Sequence, residues 1–245
     1  MTATQPTPQH QGMQPYRVSF TFGGLLRAET ETIATLYQEL GDWQAVRVKV
    51  EKDGALGKTR RSSSFRYYRE IRERLSVAYA WERAALAGGV GAASATERAG
   101  RAAGADGADL PVDVTALHES DHPAILLALT ARYYPLVGEF LRELVRERYM
   151  HGPRVLETHV VRAFLSDKAL QHPELARTAD STKDKLRTVL MRICREAGIA
   201  LGRREPFELD RPRTSAALIH LYCTQGQPAD PYHLLLSDKE ISACR

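Results

Sequence analysis

Cysteine is scarce in this 245-residue chain: Cys194, Cys223 and Cys244 are the three, well separated and outside any CxxC or His-pair ligand spacing. No disulfide framework and no zinc site is therefore signalled, which fits a reducing cytoplasm. Uninterrupted hydrophobic runs are missing too. The most apolar stretch, "AILLALTARYYPLVGEFL" at 124–141, is broken by Arg132, Pro135 and Glu139. Charges in the middle of a span are costly, whereas a helix inside a bundle tolerates them at its edges, so this stretch reads as a core helix and no membrane partner is expected. Aromatic residues make up 7% of the chain. No GxGxxG, P-loop or nucleophile elbow occurs, so neither a cofactor nor a catalytic residue is expected, and the chain reads as a binding protein with no small-molecule substrate.

What is present is enough for a folded protein. With 43% hydrophobic residues over this length, one or two ordinary cores can be buried. The first fifteen residues, rich in Gln, Pro and Thr, read as a disordered tail without the basic and apolar regions of a signal peptide. Residues 16–150 read as a helical bundle and 151–245 as a second domain, with "HGP" at 151–153 between them. The Ala/Gly-rich stretch 87–111 reads as a flexible insert in the first domain.

The net charge of +4 is unevenly spread. Between Gly41 and Leu75 ten Lys/Arg stand against five Asp/Glu, a net of +5; between Arg177 and Arg213 ten stand against six, a net of +4. The remainder is therefore at −5. Segregated basicity of this kind suits a localised polyanion surface.

Within the first domain, helical spacing of Leu26, Thr30, Ile33, Ala34 and Tyr37 predicts a helix ended by Gly41, and Asp42 is placed to cap the next. A basic helix is predicted from about Ser62 to Leu86, with Tyr68, Ile71, Leu75, Ala78 and Tyr79 inward and Ser62, Arg66, Arg69, Glu70 and Glu73 outward. Its start, "GKTRRSSSFRYYREIRERL", concentrates Lys58, Arg60 and Arg61 where a helix carries partial positive charge, and no acid lies close by in sequence to offset them. A passing phosphate backbone resolves that conflict. Ser62, Ser63 and Ser64 with the first-turn N–H groups would complete an anion site, and Arg66 and Arg69 would extend it.

In the second domain "ETHVVRAFLSDKAL" reads as a helix, "QHPELARTAD" as a turn, and "STKDKLRTVLMRICREAG" as a second helix with a Ser/Thr cap and Gly198 at its end. "IALGRREPFEL" reads as a small hairpin with Gly202, Arg203 and Arg204 at its tip. Helix, turn, helix and basic hairpin is the order of a winged helix-turn-helix. Leu186, Val189, Leu190, Ile193 and Ala197 share one face of the second helix; Ser181, Asp184, Lys185, Thr188, Arg192 and Arg195 share the other, and Lys183 adds a cation near its start. "HESDHP" at 118–123 lacks ligand spacing and reads as a capping loop, with no metal expected.

Three blocks in this order, "SFTFGGLLRAETETIATLYQELGDWQAVRVKV", "LGKTRRSSSFRYYREIRERL" and "HPELARTADSTKDKLRTVLMRICREAGI", resemble the BrxA family, the small accessory component of bacteriophage-exclusion (BREX) defence systems. The resemblance implies a mainly α fold: a helical bundle similar to the antitermination factor NusB, followed by a winged-helix-like domain with a small β-hairpin. It also implies double-stranded DNA and other BREX proteins as partners. The runner-up is a protein–protein adaptor whose basic face meets an acidic surface. The third reading is RNA binding, with Tyr67 and Tyr68 available for stacking.

Overall fold

The computed structural model describes residues 15–18, 23–88 and 117–244. Residues 1–14 of the expected tail and 89–111 of the expected insert lie outside them. The described residues form a mainly helical fold with one small antiparallel sheet.

Helices α1 (Arg27–Leu40) and α2 (Trp43–Lys52) meet at a sharp corner. Gly41 takes φ 66°, where a Cβ would be strained, and its N–H bonds the Tyr37 carbonyl; the Asp42 carboxylate then accepts from the Ala45 N–H at 2.7 Å. The expected basic helix is two helices: α3 (Arg61–Leu75) and α4 (Ala80–Leu86). Apolar spacing continues through Ala78 and Tyr79, but the chain turns at Ser76–Tyr79, and the Glu82 side chain accepts from the Tyr79 N–H to start α4 afresh. Glu70, expected outside, is buried and accepts from Arg74 Nε at 2.9 Å and the Tyr134 hydroxyl at 2.5 Å.

The apolar stretch becomes α5 (His122–Tyr133) and α6 (Pro135–His151), the latter π-helical over Phe140–Arg146. Every residue from Ala124 to Ala131 is buried. No single helix among the described residues is long and apolar enough to cross a membrane, and the α5–α6 pair, which together reach that length, bends by 119°.

Strand β1 (Val155–Leu156) leads into α7 (Thr158–Gln171), α8 (Pro173–Ala176) and α9 (Asp180–Glu196). The hairpin follows as β2 (Ala200–Leu201) and β3 (Phe207–Leu209). Strand β3 lies in the middle, pairing Leu156 with Phe207 on one side and Ala200 with Leu209 on the other. The third strand was not foreseen, because two residues are too few to show alternation.

Residues 216–244, grouped by sequence with the second domain, pack on the bundle. Helices α10 (Ala216–Thr224), α11 (Asp230–His233) and α12 (Asp238–Cys244) run back to it. The Ser215 N–H bonds Asp121 Oδ1 at 2.6 Å, the Tyr222 hydroxyl bonds Glu82, and Arg146 holds the Leu236 carbonyl and Asp238. Contrary to the sequence expectation, Cys223 and Cys244 form a disulfide, with Cα atoms 5.9 Å apart. At the other end of the chain, Tyr16 spans both parts: its ring stacks on His172, its N–H bonds Glu174 and its hydroxyl bonds Glu139 of α6.

Candidate nucleic-acid interface

Folding treats the two basic stretches differently. At the start of α3 two of the three cations meet acids that the fold brings to them. Lys58 Nζ donates to Glu29 of α1 at 2.6 Å, a bond that holds the ammonium above its ordinary range. Arg61 donates to Glu51 of α2 at 3.1 Å, beside the Arg47–Glu51 pair. These acids lie 29 and 10 positions away, so only the fold brings them in. The expected anion cradle also loses donors: the Ser63 and Ser64 N–H groups bond the Arg60 carbonyl, and Ser64 is buried. Arg60 and Ser62 remain exposed. Exposed Arg69 has no ion pair among the described residues, and Arg66 is exposed on the same helix. Tyr68 is buried with its hydroxyl on the Trp43 carbonyl, and Tyr67 lies beneath Lys58, 4.5 Å from ring centre to Nζ. Neither tyrosine is an open stacking platform.

The second stretch keeps more of its charge. Helix α9 buries Leu186, Val189, Leu190, Ile193, Cys194 and Ala197, which leaves Ser181, Asp184, Lys185, Thr188, Arg192 and Arg195 exposed as a stripe along its other face. Lys183 is off that stripe, turned back toward the Ala176 carbonyl and Asp180. Asp184 is engaged by Arg187 at 3.5 Å and Arg162 at 4.0 Å. Helix α9 begins at Asp180 without a side-chain cap, so the expected Ser/Thr cap is absent.

The hairpin is fixed to this helix. Arg195 sits over the Phe207 ring at 5.2 Å, and the Glu205 carboxylate in the hairpin loop accepts from both the N–H and the hydroxyl of Thr158 at the start of α7. Those bonds hold the Glu205 carboxyl below its ordinary range. Arg203 and Arg204 stand exposed at the tip. Arg177, Lys185, Arg192, Arg195, Arg203, Arg204 and Arg213 thus carry no ion pair among the described residues, against Lys52, Arg60, Arg69 and Arg72 in the first stretch. Sequence reading omitted Arg177, Arg195 and Arg213 from the site; of these Arg195 lies on the helix, where its lack of acidic i,i+3 and i,i+4 neighbours was a usable signal.

The 118–123 loop is structural. His118 N–H bonds Asp121 Oδ2, Glu119 pairs with Arg27, and His122 Nδ1 lies 2.6 Å from Glu31. Among the described residues no group of His, Cys, Asp and Glu could hold a metal ion.

No curated protein matches the chain. A crystal structure of an uncharacterized protein from Magnetospirillum magneticum shares the fold, with a TM-score of 0.69 at 18% identity, covering 91% of this chain and 100% of that one. The BrxA sequence pattern matches residues 14–96 and 114–221, and the unmatched residues between them lie largely in the Ala/Gly-rich stretch. With that pattern covering most of its length, the chain belongs to the BrxA family and is a BREX-associated protein.

Proposed function

We propose that this protein is a non-enzymatic, double-stranded DNA-binding accessory component of a BREX phage-defence system, acting alongside other BREX proteins. The observation that carries the reading is the open stripe of α9, with Lys185, Thr188 and Arg192, leading to a hairpin tipped by Arg203 and Arg204. In this reading β1, α7, α8, α9, β2 and β3 form a winged helix-turn-helix. One side of α9 anchors in its own domain while the other presents hydrogen-bonding side chains of the length needed to reach base edges in a major groove. The hairpin arginines would meet phosphates, which position the protein without reading sequence. The α3 start is a secondary contact, reduced by its own ion pairs.

Titration against duplex DNA, single strands and RNA at several salt concentrations tests the proposal. Duplex should bind best, with an affinity that falls steeply as salt rises. A preference for RNA, or binding insensitive to salt, overturns it.

A further inference from the structure

The Cys223–Cys244 bond joins α10 to the last described helix. The two cysteines differ in exposure: Cys223 is 7% exposed, whereas Cys244 is half-buried and lines a cavity of about 510 Å³. Arg211, Arg213, Thr214, Ile219 and Glu240 share that cavity. Arg211 is committed to Glu240 at 2.7 Å. Arg213 is exposed, with no ion pair among the described residues. Thr214, the apolar Ile219 and Arg213, which has no ion pair among the described residues, therefore share the cavity with Cys244.

We propose that Cys244 is a thiol–disulfide exchange site for an anionic low-molecular-weight thiol, whose carboxylate is met by Arg213. The thiolate attacks Cys244 Sγ; a new S–S bond forms to Cys244 as the old one breaks, and Cys223 leaves as thiolate and takes a proton from water. A second molecule of thiol attacks the small-molecule sulfur of that mixed disulfide, releasing the oxidised small molecule and the Cys244 thiol. Two thiols are oxidised to one disulfide while the protein disulfide is reduced to two thiols, so the electrons balance. The reverse sequence, with a small disulfide as oxidant, closes the bond. Reduction removes the covalent tie between α10 and α12, leaving α12 held by buried Ile241 and the Arg211–Glu240 and Arg146–Asp238 pairs. Cys194, fully buried, serves as an internal control.

The test uses the full oxidised chain with two probes, glutathione and the uncharged thiol β-mercaptoethanol, followed by alkylation and mass mapping. In Cys223→Ser treated with glutathione disulfide, the adduct should sit on Cys244 and not on Cys194. In the otherwise unaltered protein, Arg213→Glu should slow reduction by glutathione at least about threefold at low ionic strength, with the difference vanishing at high salt, and leave β-mercaptoethanol unaffected. This second measurement keeps both cysteines, so it stands even if Cys223→Ser folds poorly. Equal effects on both thiols, attachment to Cys194, or failure to form the Cys223–Cys244 bond under oxidising conditions overturns the proposal.

Discussion

Arg132 of α5 donates through Nε to Asp230 of α11 at 2.9 Å, a bond between residues 98 positions apart that fastens the C-terminal helices to the bundle. The same guanidinium reaches the Val77 carbonyl and both oxygens of Glu82, while the Tyr222 hydroxyl also bonds Glu82. The Arg132 side chain is 2% exposed and both carboxylates are fully buried. One cation thus serves two acids away from water. Burial pushes both carboxyls up, and Arg132 opposes that shift.

Replacing Arg132 with Met should therefore be severe, because it leaves two buried carboxyls without their cation. A loss of about 3–5 kcal/mol is expected in urea denaturation. Adding Glu82→Gln and Asp230→Asn should recover part of it, since the uncompensated charge is then gone. A single Arg132→Met variant as stable as the parent would show that the C-terminal helices do not depend on this network.

His233 adds a pH dependence. It is buried near Arg132 and Arg142, and burial first, then those cations, depress its pKa to about 3. The folded state thus favours neutral imidazole. Its contribution to stability is present above the unfolded pKa near 6.5 and is lost as pH falls toward the folded value, by about 2 kcal/mol at pH 5. The raised carboxyls of Glu82 and Asp230 act oppositely, favouring the folded state at lower pH, so the parent alone cannot isolate the histidine. The comparison with His233→Leu can: thermal melts between pH 7.5 and 5 should show the parent losing more stability than the variant. Parallel pH profiles would assign no role to His233 protonation.

These long-range polar ties mark the limit of what sequence revealed. The α1–α2 corner was legible because Gly41 and Asp42 act through their own backbone and near neighbours, and the two faces of α9 were legible because helical periodicity is local. The break after Leu75 was hidden: no Gly or Pro marks Ser76–Tyr79, and the apolar spacing runs on through it. Lys58 looked uncompensated because its acid, Glu29, belongs to another helix. The Cys223–Cys244 bond was equally invisible, since a separation of 21 residues says nothing about proximity in space. Hence the candidate surface at α9 survives folding with its cations open, while the one at α3 is partly neutralised.

Gly24 tests how the two parts touch. Glu196 at the end of α9 accepts from the Leu25 N–H at 2.6 Å, and a Cβ on Gly24 would lie 2.0 Å from Glu196 Oε2. Gly24→Ala should displace that carboxylate and break the bond, costing about 1–2 kcal/mol. Proteolysis at the α9 end should accelerate as the contact loosens. Unchanged stability would mean that the carboxylate swings aside without loss.

Salt dependence separates the two basic surfaces. Each phosphate contact releases condensed counterions, so losing one should flatten the slope of log affinity against log salt by about 0.9 on duplex DNA. Replacing Lys185 and Arg192 with Ala should remove about 1.8 while the domain stays folded, because both project away from the buried Leu186 and Ile193. At the α3 start, the sequence alone would assign three contacts to Lys58, Arg60 and Arg61. With Lys58 held by Glu29 and Arg61 by Glu51, Ala at all three should flatten the slope by only about 0.9, the share of Arg60. Breaking the two partly exposed ion pairs should cost at most about 1 kcal/mol each in stability. If the triple variant instead flattens the slope by the full three contacts, Glu29 and Glu51 surrender their partners when DNA arrives, and the α3 start is a primary part of the DNA path. If the Lys185 and Arg192 variant keeps the parental slope while remaining folded, α9 is not on that path.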